Sequence, residues 1–247
     1  MTEEKTNNRR AFVKTCLATA TMVAANPALI AGAEPVRQYT RSRLVNENGE
    51  AISSRSLEPN KAYVFHYPYV TTPCFLINID RPIAPGQVMD TESEGSYTWQ
   101  GGAGPENSLV AFSAICTHKL SYPTKTLSFL NYRPEKVRFL SKLEKIEERS
   151  QVIYCCSENS AYDPSRGAEV IGGPARQPLA AIELEHDAES DVIHAIGSRG
   201  GELYEPFFEK FGFRLALDHK IKNVRATVEG TTIVYPHEEY SQHAVSC

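Results

Sequence analysis

Apolar residues along this chain come in short runs broken by turn residues. "KAYVFHYPYV" (61–70) and "TPCFLINI" (72–79) are rich in β-branched and aromatic side chains and are bounded by Pro and Asp, which predicts strands. "LVAFSAIC" (109–116) is a buried strand that delivers Cys116 and His118 at its end. "SQVIYCC" (150–156) is a second strand, ending on a cysteine pair. "PLAAIELEHD" (178–187) and "DVIHAIGS" (191–198) alternate or run apolar, like two hairpin strands. "DRPIAPGQ" and "GGAGPENS" are loops by composition. Many short strands with frequent turns predict a mainly β sandwich or barrel.

Two segments depart from that rhythm. In "RPEKVRFLSKLEKIEERS" (133–150), Val137, Leu140, Leu143 and Ile146 recur every three residues, which predicts a charged, solvated helix. "YEPFFEKFGFRLALDHKIK" (204–222) predicts a short helix running into a strand. "NVRATVEGTTIVYP" (223–236) predicts a hairpin around Glu229-Gly230.

Composition alters this picture little. With 41% apolar and 23% charged residues in 247, the chain has globular values. A net charge of −4 gives no basic surface for nucleic acid. No apolar run reaches the roughly 18 residues of a membrane span. The first 33 residues are of another kind. Arg9-Arg10, then Phe12 and Lys14, precede a mildly apolar stretch that ends in Ala31-Gly32-Ala33. This predicts a twin-arginine export signal, a route for proteins already folded and often cofactor-loaded. Of six cysteines, Cys16 lies in that leader. Cys74, Cys116, Cys155, Cys156 and Cys247 remain, an odd set with one adjacent pair. That set fits ligand duty for some of them better than a disulfide framework. Cys74 reads as a buried small hydrophobe and Cys247 as a free terminal thiol.

Cys116-x-His118 offers a thiolate and an imidazole from one tight loop, and Cys155-Cys156 offers thiolate from another. With "YDP" (162–164) and "GGPARQPL" (172–179), these residues resemble the Rieske iron–sulfur family. In that family two cysteines hold one iron of a [2Fe–2S] cluster and two histidines hold the other. The likeness covers about 60–198 and is nearest to the small subunit of arsenite oxidase, through the leader, His66-Tyr67-Pro68 before Cys74, and the Gly-Gly turn at 101–102. It implies an antiparallel β sandwich with a small cluster-binding subdomain. It also implies that Ser160 and Tyr162 donate hydrogen bonds to cluster sulfurs and that Pro174 lies in the loop covering the cluster.

The chain departs from the family pattern in four places. The family's second loop reads C-x-x-H, but three residues after Cys155 stands Glu158 and three after Cys156 stands Asn159. We favour Cys156 with Asn159, because a one-residue deletion in the following turn restores the spacing. The cysteines of the family's loop-clamping disulfide are replaced by Ser121 and, in one register, Ser157. The segment between His118 and Cys155 is unusually long, and a C-terminal extension follows. A Glu158 carboxylate on iron would lower the reduction potential, whereas an Asn159 amide is a poor ligand. Three protein ligands with an open position would suit zinc, and both adjacent thiolates together would give a Cys3His set. His66, His186 or His194 would substitute only if folding brought one near.

The expected organisation is a signal at 1–33, a Rieske-like domain at 34–200 and an extension at 201–247. The cluster-binding part falls at about 105–180, with a helical insertion at about 124–150. The expected ligands are Cys116, His118, Cys155 and Cys156, with Glu158 or Asn159 as fourth. The expected cofactor is [2Fe–2S], with zinc as the alternative. The resemblance implies one-electron transfer between a larger oxidoreductase subunit and a soluble cytochrome or copper protein, in the periplasm or on the outer face of the cytoplasmic membrane. Membrane attachment follows only if the signal is kept as an anchor. The alternative role is a cluster-free structural or assembly subunit. No nucleophile–base pair, phosphate loop or carboxylate dyad points to independent catalysis.

Overall fold

The structure, a computed structural model, describes residues 36–92 and 94–247. The expected export signal lies outside the described residues. In chain order the strands are β1 (Arg37–Val45), β2 (Ala62–His66), β3 (Pro73–Asn78), β4 (Gln87–Thr91), β5 (Gly95–Trp99), β6 (Leu109–Ser113), β7 (Leu127–Ser128), β8 (Leu130–Arg133) and β9 (Val137–Leu140). Then come β10 (Ile146–Arg149), β11 (Val152–Cys155), β12 (Ser160–Asp163), β13 (Glu169–Gly172), β14 (Ala181–Asp187) and β15 (Val192–Arg199). Helix α1 (Tyr204–Asp218), β16 (Thr231–Ile233), β17 (Tyr235–Pro236), helix α2 (His237–Tyr240) and β18 (His243–Ala244) complete the chain.

The fold is mainly β and largely antiparallel. An eight-stranded sheet runs β16-β1-β15-β14-β6-β3-β2-β17, and a four-stranded sheet runs β13-β12-β11-β8. Central strands of the large sheet bury both faces, which is why they read as apolar runs without alternation. Val64, Phe75, Ile77, Val110 and Phe112 share one core with Leu130, Ile153, Cys155 and Tyr162 of the small sheet. Their neighbours Tyr63, Phe65, Cys74, Leu76 and Ala111 form the other core with Leu44, Ile182, Ile193 and Val234. The period of two thus splits one sheet between two cores, and one of them sandwiches the small sheet.

Residues 223–236 do not make the predicted hairpin. β16 pairs in parallel with β1 and β17 pairs with β2, at opposite edges of the large sheet. Val234 lies between them, so a few residues of the C-terminal extension link both edges. Thr232 Oγ1 accepts from the His66 amide at 3.3 Å and donates to the His66 carbonyl at 2.9 Å. This tie covers the backbone groups of an edge that would otherwise be open.

The predicted helix at 133–150 is instead a hairpin of β9 and β10. Val137 and Phe139 bury against Tyr154, Ala161 and Ile171, whereas Arg138 and Leu140 face outward. Leu143 and Ile146 are exposed. The three-residue recurrence therefore found no face to bury, and alternation over four residues decided the outcome. Glu144 takes a left-handed φ of 56° at the turn. Helix α1 forms as predicted, but no strand directly continues it. Its Tyr204, Phe207, Phe208 and Leu215 pack with Ile115, and Leu120 and Tyr122 lean on the same cluster. The extension therefore braces the loop that carries Cys116.

Candidate metal centre

β6 feeds Cys116 into a tight loop. The Cys116 amide donates to the Ser121 carbonyl at 2.8 Å, and the Leu120 amide donates to the Cys116 carbonyl at 2.9 Å. Leu120 adopts φ 63° to close it. From outside, Lys210 Nζ of α1 donates to the Lys119 carbonyl at 2.8 Å.

The second loop is the turn between β11 and β12. Cys155 pairs with Ser160 across the hairpin, and the Asn159 amide donates to the Cys155 carbonyl at 2.7 Å. Successive side chains on a strand point to opposite faces, so Cys155 and Cys156 part company. Cys155 faces the inner core and is fully buried with Cys116. Cys156 packs with Tyr154 and Phe139 on the other face.

That parting corrects the sequence expectation. Cys156 is bonded to Cys247 in a disulfide, with 5.8 Å between their Cα atoms. Its sulfur is committed elsewhere, and Cys247 is not a free thiol. Asn159 is exposed, and its Oδ1 accepts from the Tyr154 hydroxyl at 3.2 Å. The register favoured from sequence, Cys156 with Asn159, thus has its sulfur in that disulfide, and Cys155 is the thiol that shares the core of Cys116. The pleat carried the deciding signal, since only one of two adjacent strand residues can face Cys116.

The Cys116 and Cys155 thiols share one buried core cluster, where each perturbs the other. Cys155, joined by the Tyr162 hydroxyl and nearby backbone amides, holds Cys116 below the ordinary thiol range against the opposing effect of burial. Cys116, with burial, pushes Cys155 up. Tyr162 Oη is 3.3 Å from Cys116 Sγ and accepts from the Thr117 amide at 3.2 Å. Thr117 Oγ1, 3.1 Å from the same oxygen, donates to the Gln177 carbonyl at 2.8 Å. With the Thr117 hydroxyl proton given to Gln177, the Tyr162 hydroxyl hydrogen has two acceptors within reach, Thr117 Oγ1 and the Cys116 sulfur.

Two polar atoms beside this pair are buried without a partner, His118 Nδ1 and Ser160 Oγ. Buried polar atoms are rarely left unpaired unless something else engages them. His118 lines a cavity of about 270 Å³ with Glu92, Thr117, Pro174 and Arg176. Gly173, at φ +75°, lets this loop approach the second one: a Cβ there would lie 2.2 Å from the Asn159 carbonyl oxygen.

The thiol pair with its donors suits a soft, thiolate-binding metal or an iron–sulfur unit. The other half of the expected ligand set is not gathered. Glu158 is partly exposed, and among the described residues no three His, Cys, Asp or Glu side chains converge as a metal site. Of the distant histidines, His66 Nε2 contacts Tyr240 Oη at 3.1 Å and His186 Nε2 contacts Asp191 at 2.8 Å, whereas His194 Nδ1 is buried without a partner. Cys74 behaves as the buried residue expected, its thiol donating to the Tyr67 carbonyl at 3.0 Å. Sequence reasoning missed Thr117, Gln177 and Cys247. Only Cys247 left a trace, in the odd cysteine count.

No family model matches the chain. Among solved structures, the soluble domain of Rieske protein II (soxF) from Sulfolobus acidocaldarius is similar, with 18% identity and a TM-score of 0.43. The match covers 68% of this chain and 82% of that one.

Proposed function

We propose that this chain is an exported iron–sulfur protein that carries single electrons for a larger oxidoreductase. The observation that carries this reading is the burial of Cys116 and Cys155, delivered by two separate loops, in one core cluster with the Tyr162 hydroxyl 3.3 Å from the Cys116 sulfur. Cys116 and Cys155 would hold one iron of a [2Fe–2S] unit. His118, through its unpartnered Nδ1, would serve the other, and the second loop offers Glu158 as the remaining donor. When bound, such a unit supplies one-electron redox chemistry. The protein's own part is to bury the sulfurs and set the Tyr162 hydroxyl beside one of them. The Cys156–Cys247 disulfide supports an oxidising compartment, in keeping with a periplasmic location. The electron acceptor would be a soluble cytochrome or copper protein.

A specific observation favours a second reading, a cluster-free subunit. Among the described residues no three-ligand metal group is assembled. The test is iron, zinc and acid-labile sulfide analysis of protein exported in its native host, with EPR after reduction. Iron and sulfide in equal amounts with a reduced-state signal support the electron carrier. Folded protein free of iron and sulfide overturns it, and one equivalent of zinc would point to a mononuclear site.

A further inference from the structure

The last residue of the chain is bonded to the neighbour of a site thiol. Cys156 and Cys247, 91 positions apart, form the disulfide. Little else holds the tail. β18 pairs with β7 over two residues. The amides of Gln242, His243 and Val245 donate to the carbonyls of Lys125, Thr126 and Ser128. Asn131 Nδ2 donates to the Val245 carbonyl at 3.1 Å. The side chains at 242–244 and 246–247 are exposed.

The second loop is also lightly held. The Cys156 amide donates to the Phe129 carbonyl, and the Asn159 amide closes the turn. Ser121 and Ser157 leave no covalent tie between the two loops. Among the described residues, the one covalent restraint on the 156–159 turn therefore comes from the chain's end. Cys247 is exposed and Cys156 partly so, whereas Cys74, Cys116 and Cys155 are fully buried. Thiol exchange follows access, so a reagent in solution meets this pair first.

We propose that the Cys156–Cys247 bond is a reversible latch and a substrate for a thiol–disulfide oxidoreductase. Closed, it fixes the second loop and keeps Cys156 out of the site's thiol set. Open, it frees the tail and leaves a third thiol one residue from Cys155. In closing, the Cys247 thiolate attacks the Cys156 sulfur of a mixed disulfide with the oxidant, and the oxidant's thiolate leaves. One S–S bond forms in this protein, the oxidant's disulfide becomes a dithiol, and both protons pass to it. In opening, a dithiol attacks the exposed Cys247 sulfur, Cys156 leaves as thiolate, and the dithiol ends as a disulfide.

The inference goes beyond electron transfer, and its readouts do not depend on metal content. The folded full chain is equilibrated in glutathione buffers of stepped thiol-to-disulfide ratio, quenched with an alkylating agent and mapped by non-reducing mass spectrometry. Hydrogen exchange is followed in parallel. The expected result is reduction of Cys156–Cys247 without denaturant while Cys74 stays unlabelled, with amides at 156–159 exchanging at least tenfold faster. Cys247→Ser should exchange like the reduced protein, and added dithiol should change its 156–159 amides no further. The proposal is overturned if the bond resists until the protein unfolds or if reduction leaves 156–159 unchanged. It is also overturned if dithiol still speeds that turn in Cys247→Ser.

Discussion

The Tyr162 hydroxyl, on β12, lies 3.3 Å from the sulfur of Cys116, on the loop after β6. The contact joins the small sheet to the Cys116 loop without a covalent bond, and the Thr117 amide donates to the same oxygen. Tyr162 is fully buried, so water does not compete for either partner. A tyrosine after a strand is commonly only a packed ring. Here its hydroxyl ties the small sheet to the loop that carries the first thiol.

Replacing Tyr162 with Phe should separate those roles. The ring keeps its packing, but the Thr117 amide loses an acceptor and Cys116 loses a donor. An orphaned buried donor costs about 1–3 kcal/mol, to be read in urea unfolding. In metal-free protein the Cys116 thiol should become less acidic and its alkylation near neutral pH slower. Equal alkylation rates in both proteins would refute the donor role.

Gly173 sets how closely the Pro174 loop approaches the second loop. A methyl group there would meet the Asn159 carbonyl oxygen at 2.2 Å, at a φ of +75° that favours glycine. Both faults act together in Gly173→Ala, and overpacking alone costs about 1–3 kcal/mol. The variant should unfold at lower urea and exchange its 157–160 amides faster. Wild-type protection there would show that the loops are held by other means.

The strands around the site were legible because their runs are apolar and end on the residues that matter. β6 leads to Cys116 and β11 to Cys155. The hairpin at 137–149 was hidden because its exposed Leu140, Leu143 and Ile146 imitate a helical period, while the true signal, Val137 and Phe139 turned inward, spans only four residues. The choice between Cys155 and Cys156 was hidden for another reason. It depends on the strand's register to the core, and a register is set by tertiary packing. The Cys247 partner was illegible, since a disulfide across 91 positions leaves no local pattern.

Removing the tail bond should be felt globally. A cross-link enclosing so long a segment restricts the unfolded chain, and loss of a native one typically costs about 2–4 kcal/mol. Cys247→Ser should therefore shift the urea midpoint down by that amount while leaving the far-ultraviolet spectrum unchanged, because β18 contributes only two residues. Stability equal to wild type under oxidising conditions would show that the bond does not persist in solution.

Acid should weaken the fold through its buried histidines. His237 is buried, with its ring edge-on to Phe75 at 5.4 Å and its Nε2 without a partner. Burial lowers its pKa to about 4, with Glu238 opposing. A base whose folded pKa is depressed favours the folded state fully above its unfolded value, near 6.5, and loses that contribution as pH falls toward the folded one. Between pH 6.5 and 5 the loss is about 2 kcal/mol. His66 and His219 are shifted the same way by burial, so wild type should lose more than that in total. Asp191, held low by Ser53, Ser54 and His186, gives way only at lower pH. In urea unfolding at pH 7.5 and 5.0, His237→Phe keeps the ring against Phe75 and should lose about 2 kcal/mol less than wild type between the two conditions. Equal losses in both proteins would mean that the wild-type imidazole already finds a proton-accepting partner in its pocket.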